Sequence, residues 1–299
     1  MFLHNENIPW EELNTTIKKR ELFSKDLYFE LSFEAANFIL ENNLAKTLKD
    51  YTYLMIKPET LILNKTNELI ALLKDFDLVY YCIKRISHVQ ISELWKYAWS
   101  AASLIRIITN LQFYPQFDCV LLVLHKKCTQ NKNACDFLAE IKGSTPLGAY
   151  QPHTIRYKLK SINKFMNYIH TPDDVADLLR ELGVFFDWDS LIEIFTAIKN
   201  KKIIDYNDLR AELSNKNYEI RETDPSVLLS KLIIDLEKDS QIPPKIIETL
   251  KDIKNGKNKL TIELIENLRK VHKLDWACEF VIIITSFMEY SSPYDSLID

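Results

Sequence analysis

Between Tyr51 and Val184 the chain alternates β-type runs with segments of helical period, and beyond Gly183 the β-type runs nearly vanish. That switch constrains the fold more than any single residue does. The β-type runs are Tyr53–Ile56, Asp77–Ile86, Cys119–Leu124 and Phe165–Ile169, rich in β-branched, aromatic and leucine side chains. Between them, helical spacing predicts Thr66–Lys74, Ser92–Trp99 with Ser92 as its cap, Ala101–Leu111, and Asn133–Lys142 ending on Gly143. A further helix begins on Pro172-Asp173-Asp174, with Val175, Leu178, Leu179 and Leu182 on one side. The order βαββαβ is the ferredoxin-like plan, so the expected class is α+β, with an antiparallel sheet and helices on one face.

Outside this stretch the pattern is helical. Residues 1–50 read as a helical extension around Leu31, Phe33, Ala36, Phe38 and Ile39, suited to packing or oligomer contacts. Residues 185–299 read as an all-α domain. Leu191, Ile194, Phe195 and Ile198 share a face, and Asp224-Pro225 starts a helix carrying Leu228, Leu229, Leu232 and Leu236. Three units follow: 1–50, 51–184 and 185–299.

Charge and cysteine usage narrow the partners. A net charge of −4 with dispersed Lys and Arg predicts no nucleic-acid partner. The lysine-rich runs near 199–202 and 254–259 read as solvated turns. No basic segment followed by an apolar run opens the chain, and the longest late apolar run, Phe280–Ile284, is too short to span a membrane. Five cysteines without a C-x-x-C pair predict reduced thiols in a cytoplasmic setting and no protein metal site.

Asn163 to Asp174 holds a histidine, His170, where a strand meets the start of a helix. Neutral imidazole is a nucleophile near pH 7, and the positive end of a helix dipole suits an incoming phosphate. Alone, such a histidine more often caps a turn; its context argues for more. Thr52 to Pro58 is a β-type run ending in M-I-K-P, with Lys57 locked before a proline. Gly143 to Arg156 is a long turn holding Ser144-Thr145-Pro146 and closing on Thr154-Ile155-Arg156. Two of the chain's four glycines, Gly143 and Gly148, fall in this turn, where the lack of a Cβ lets backbone approach a phosphate.

Taken in order, MIKP, G-x-T-P, TIR and N-x-x-H resemble the nucleoside diphosphate kinase family, over roughly Thr52 to Val184. Eleven residues separate Thr145 from Arg156, similar to the family spacing. The resemblance implies that His170 is transiently phosphorylated by a nucleoside triphosphate and then passes the phosphoryl group to a diphosphate. It implies that Lys57 neutralises that group, Glu181 orients the imidazole, and Tyr97, Thr145, Arg156 and Asn167 bind nucleotide. Mg²⁺ would arrive on the nucleotide phosphates, and the family's assemblies imply a homo-oligomer. The chain departs from the pattern at several points. Glu59-Thr60 follows Pro58, Tyr157 follows the TIR motif, and Thr171-Pro172 follows His170. One extra residue lies between Arg156 and His170, and the second phosphate-binding arginine is Ala139, for which Lys142 or Arg106 could substitute. The base-stacking phenylalanine has no clear counterpart; Ile107 or a nearby aromatic stands closest. Phosphate chemistry therefore reads as kept and base recognition as altered. The alternatives are a nucleotide-binding or interaction module without turnover, or the same chemistry on another small-molecule acceptor.

Overall fold

A computed structural model describes residues 8–13, 15–128, 132–144, 151–214, 222–272, 276–294 and 297. Four strands, β1 (Tyr51–Ile56), β2 (Asp77–Arg85), β3 (Asp118–His125) and β4 (Ile169–His170), form one sheet in the order β2-β3-β1-β4. Every neighbouring pair is antiparallel. Around the sheet lie α1 (Ile17–Phe23), α2 (Leu27–Leu40), α3 (Leu44–Leu48), α4 (Pro58–Ile62), α5 (Thr66–Leu72), α6 (His88–Trp95) and α7 (Leu104–Phe113). They continue as α8 (Ala134–Lys142), α9 (Ile155–Lys158), α10 (Val175–Phe185), α11 (Trp188–Lys199) and α12 (Tyr206–Leu213). Last come α13 (Pro225–Glu237), α14 (Pro244–Lys254), α15 (Ile262–His272) and α16 (Cys278–Phe287). The class is α+β, and from Val175 on every named element is a helix.

Helices cover both faces of the sheet, not one. Tyr53, Met55, Leu121 and Val123 pack with Phe29, Leu178, Leu182 and Phe195 on one side. The alternate residues Leu54, Ile56, Val120, Leu122 and Leu124 pack with Leu69, Leu138 and Leu209 on the other. All six residues of β1 are buried, as are the six central residues of β3. That is why both read as continuous apolar runs rather than as alternating ones.

Two local expectations are corrected. The strand foreseen over Phe165–Ile169 shrinks to Ile169–His170. Asn163 Oδ1 accepts the backbone N–H groups of Phe165 and Met166, and Tyr168 takes a φ of 73°, so the chain turns before it can pair. The helix foreseen from Ser92 starts earlier, at His88. Ser87 and Gln90 close a reciprocal capping box there, which satisfies two N-terminal donors at once.

Helix α2 packs against α10 and α11, with Tyr28 crossing α10 at Gly183. A Cβ built on Gly183 would stand 2.0 Å from the Tyr28 carbonyl oxygen. Alanine normally favours a helix interior over glycine by about 1 kcal/mol. Here Gly183→Ala is expected to destabilise instead, by about 1–3 kcal/mol, because two backbones must separate. Urea unfolding checks the sign; a stabilised variant would mean that the close approach is not real. One apolar cluster includes residues from all three sequence units, among them Phe29, Leu182 and Ile282. Among the described residues, no helix is long and apolar enough to cross a membrane.

Candidate functional site

The pairing of β1 with β4 brings the two key motifs together. Met55 is the register partner of His170. Its neighbours two positions away along the chain, Tyr53 and Lys57, flank that point, since side chains on one side of a strand recur every second residue. Helix α10 then passes beneath. It is capped by Asp174, whose side chain accepts the Asp177 N–H, and each of its residues is buried. Asp177 and Glu181 are one helical turn apart and face the same way.

His170 Nε2 lies 2.9 Å from Glu181 Oε2. The Tyr53 hydroxyl donates to the same carboxylate oxygen. Burial, then the charge of Glu181, push the Tyr53 phenol well above its ordinary range, so it stays a donor. The indole of Trp95 stands edge-on to the imidazole, ring centres 5.8 Å apart, and also packs on Tyr114. A carboxylate, a tyrosine and a tryptophan thus fix the ring while leaving it partly exposed.

His170 opens on a cleft of about 530 Å³. Of the residues singled out from sequence, Lys57, Arg156, Asn167, His170 and Glu181 line it. So do Lys142 and Arg106, the two cations named as substitutes at the position of Ala139, and Ala139 itself. Tyr97 does not line it: its hydroxyl donates to Asp26 Oδ2 at 2.8 Å. Thr145 lies outside the described residues. Ile107 is not among the lining residues, and the aromatic walls are Trp95, Trp99, Tyr114 and Phe165.

The cations differ in their commitments. The Lys57 ammonium donates to Asn167 Oδ1 at 2.9 Å and to the Phe165 carbonyl, and pairs with Glu59 Oε1 at 2.9 Å. Burial lowers its proton affinity; Glu59 opposes that, while Arg156 and Arg106 add to it. Arg156, held by α9, donates to the Gly143 carbonyl at 2.7 Å and to the Ile169 carbonyl at 3.4 Å. Gly143 has a φ of +83°, and a Cβ there would meet Thr154 side-chain atoms at 2.7 Å, so glycine serves both the turn and the close approach. Lys142 pairs with Asp173 at 3.5 Å, and burial lowers its proton affinity. Burial also lowers that of Arg106, whose charge nonetheless persists at any ordinary pH. Among the described residues, no three His, Cys, Asp or Glu side chains are grouped to hold a metal.

Sequence reasoning missed Tyr53, Trp95, Tyr114 and Lys164 as cleft or ring-holding residues. Tyr53 was within reach, because period-two counting back from Lys57 passes Met55 and lands on it. The others come from helices and turns whose orientation no local spacing reveals.

No protein-family model and no curated protein matches the chain. Among solved structures, the orthorhombic C222 crystal form of the Aquifex aeolicus nucleoside diphosphate kinase is similar over 46% of this chain and 95% of that one. The identity is 17% and the TM-score 0.39.

Proposed function

We propose that the protein is a phosphotransferase that moves the terminal phosphoryl group of a nucleoside triphosphate to a nucleoside diphosphate through a phosphohistidine at His170. The observation that carries this reading is the contact between His170 Nε2 and Glu181 Oε2 at the wall of a cleft lined by Lys57, Arg106, Lys142 and Arg156. A carboxylate on Nε2 keeps the proton there and leaves the Nδ1 lone pair as the nucleophile. In the first half-reaction Nδ1 bonds to the γ-phosphorus as the bond from phosphorus to the bridging β–γ oxygen breaks, and the diphosphate leaves. The Nε2 proton stays in place, and Glu181 stabilises the imidazolium that forms. In the second, a terminal oxygen of the acceptor diphosphate takes the phosphoryl group and the N–P bond breaks. The cations neutralise the equatorial oxygens, which is most of what phosphoryl transfer asks of a protein. Mg²⁺ enters on the nucleotide phosphates, and the chain contributes no ligand to it in this reading. The strand order and antiparallel pairing support a ferredoxin-like βαββαβ core over residues 51–184.

One observation favours a second reading, a module that holds nucleotide without turning it over. The Lys57 ammonium already has Glu59, Asn167 and the Phe165 carbonyl as acceptors. Under phosphotransfer one of these contacts is exchanged for phosphate. Incubation with γ-labelled ATP and Mg²⁺ separates the two. Label that is acid-labile and alkali-stable, and that ADP chases back into ATP, is the expected result. A folded protein that binds ATP yet takes up no label refutes the phosphotransfer reading.

A further inference from the structure

Lys19 belongs to the N-terminal helix α1, yet its ammonium is buried at the start of α10. It lies 2.9 Å from Asp174 Oδ2 and 2.5 Å from Asp177 Oδ2. Asp177 lines the cleft, one turn before Glu181. The acids of the cleft are therefore matched one by one. Asp173 faces Lys142, Glu181 faces His170 and Tyr53, and Asp177 faces Lys19. Of these partners, Lys19 alone comes from outside residues 51–184.

We propose that Lys19 is a positioning residue of the anion site: it cancels the negative charge at the start of α10 so that a polyphosphate can approach His170. This rests on the reading of the cleft as a phosphate site, but not on turnover. The physical reason is local. A nucleotide polyphosphate brings several negative charges to a cleft whose floor holds Asp177 and Glu181 on one helical face. Either carboxylate left unmatched repels it through a medium far less screening than water. Lys19 lies beneath the floor, buried and doubly paired, and so offers its charge without occupying the space the ligand needs. Burial opposes the charge on Lys19, but Asp177 and Asp174 outweigh it and hold the ammonium protonated. A helix from the N-terminal extension thereby becomes part of the site.

The test is ATP binding by calorimetry at pH 9, because burial and Asp174 raise the Asp177 carboxyl while Lys19 opposes them, so that losing Lys19 raises it further and alkaline solution is needed to keep it ionised. Lys19→Met is expected to weaken ATP binding about tenfold, the size of one uncompensated charge at roughly 10 Å in a partly screened site. Lys19→Met/Asp177→Asn offsets the lost positive charge with one lost negative charge, keeps the cluster at its wild-type net charge, and is expected to return the affinity to within about twofold of wild type. A merely structural lysine gives the reverse pattern: urea stability falls in both variants and the second change restores nothing, which overturns the proposal. Unchanged ATP affinity in a folded Lys19→Met protein overturns it too. Where Lys19→Met does not fold, Lys19→Met/Asp174→Asn/Asp177→Asn takes its place, and weak ATP binding by that folded protein, in which the three-residue cluster carries no charge, counts against the proposal. Wild type that binds ATP without taking up label removes the turnover reading and leaves this one standing; wild type that binds no ATP removes both.

Discussion

His170→Ala is expected to take up no label from γ-labelled ATP, and Glu181→Gln to label about 10²–10⁴ times more slowly than wild type while binding ATP nearly as well. The first follows from there being no other nucleophile at the imidazole's place. The second follows from the proton. Glu181 Oε2 faces His170 Nε2 at 2.9 Å and also accepts the Tyr53 hydroxyl. A carboxylate can only accept, so Nε2 carries the proton and Nδ1 is the free base. A glutamine that places its amide nitrogen at the Oε2 position donates to Nε2 and leaves the Tyr53 hydroxyl without that acceptor. The proton then moves to Nδ1, and the nucleophile is lost without any change of shape. Even with the amide oxygen facing the ring, the developing imidazolium loses its counter-charge. Rapid-quench single-turnover measurements give both the rate and the ATP half-saturation. Stoichiometric label on His170→Ala would sink the assignment of the nucleophile. A Glu181→Gln protein labelling at the wild-type rate would mean that something else holds the ring.

What the sequence revealed and what it hid divide along a physical line. Buried central strands advertise themselves, because both faces must be apolar, and β1 and β3 are buried along nearly their whole length. The spacing of His170 and Glu181 was legible for a related reason. Eleven residues are enough for a turn and two helical turns of α10, and a helix returns side chains at a fixed period. Lys57 was legible because Pro58 marks the end of β1 and the start of α4.

The hidden parts depend on partners distant in the chain. Tyr97 follows α6 closely, so its spacing suits a cleft residue, but its hydroxyl turns to Asp26 of the N-terminal segment. Glu59 stood out only as a departure from a motif, and no local rule shows its carboxylate paired with Lys57 or accepting the Tyr168 N–H at 3.1 Å. Composition alone supports a strand at 165–169, yet the Asn163 side chain competes with sheet pairing for the same N–H groups. Residues 1–50 give no sign that Lys19 and Asp26 reach α10, because a lone lysine in a helix and an aspartate at a helix start both read as solvated.

Asp26 carries the other large expectation. Its two oxygens divide the work. Oδ1 caps α2, accepting the N–H groups of Tyr28 and Phe29. Oδ2 receives Arg180 Nε at 2.9 Å, the Lys96 ammonium at 2.9 Å and the Tyr97 hydroxyl at 2.8 Å. Burial alone would raise the proton affinity of this carboxyl; Arg180, Lys96 and Tyr97 reverse that and hold it at about 2. The folded value lies below the ordinary one near 3.8, so the ionised group favours the folded state. That contribution is complete above about pH 4 and lost as the pH falls through 4 toward 2. It amounts to about 2 kcal/mol at 1.4 kcal/mol per unit. Asp26→Asn keeps the cap but leaves Arg180, whose side chain is 3% exposed, without its counter-charge. A loss of about 3–5 kcal/mol is expected near neutral pH. Asp26→Ala loses the cap as well, for about 1 kcal/mol more. Urea unfolding from pH 7 to 2 reads all three proteins. The wild-type curve should drop between pH 4 and 2 more steeply than the Asp26→Asn curve, and the gap between them should narrow by about 2 kcal/mol as the carboxyl takes up its proton. Parallel curves over that window would mean that Asp26 is not ionised against Arg180. Because Arg180 precedes Glu181 in α10, the same variants bear on the site: a helix that loses its hold on Asp26 should let the Glu181 carboxylate leave the imidazole, and labelling of His170 should slow in step with the lost stability.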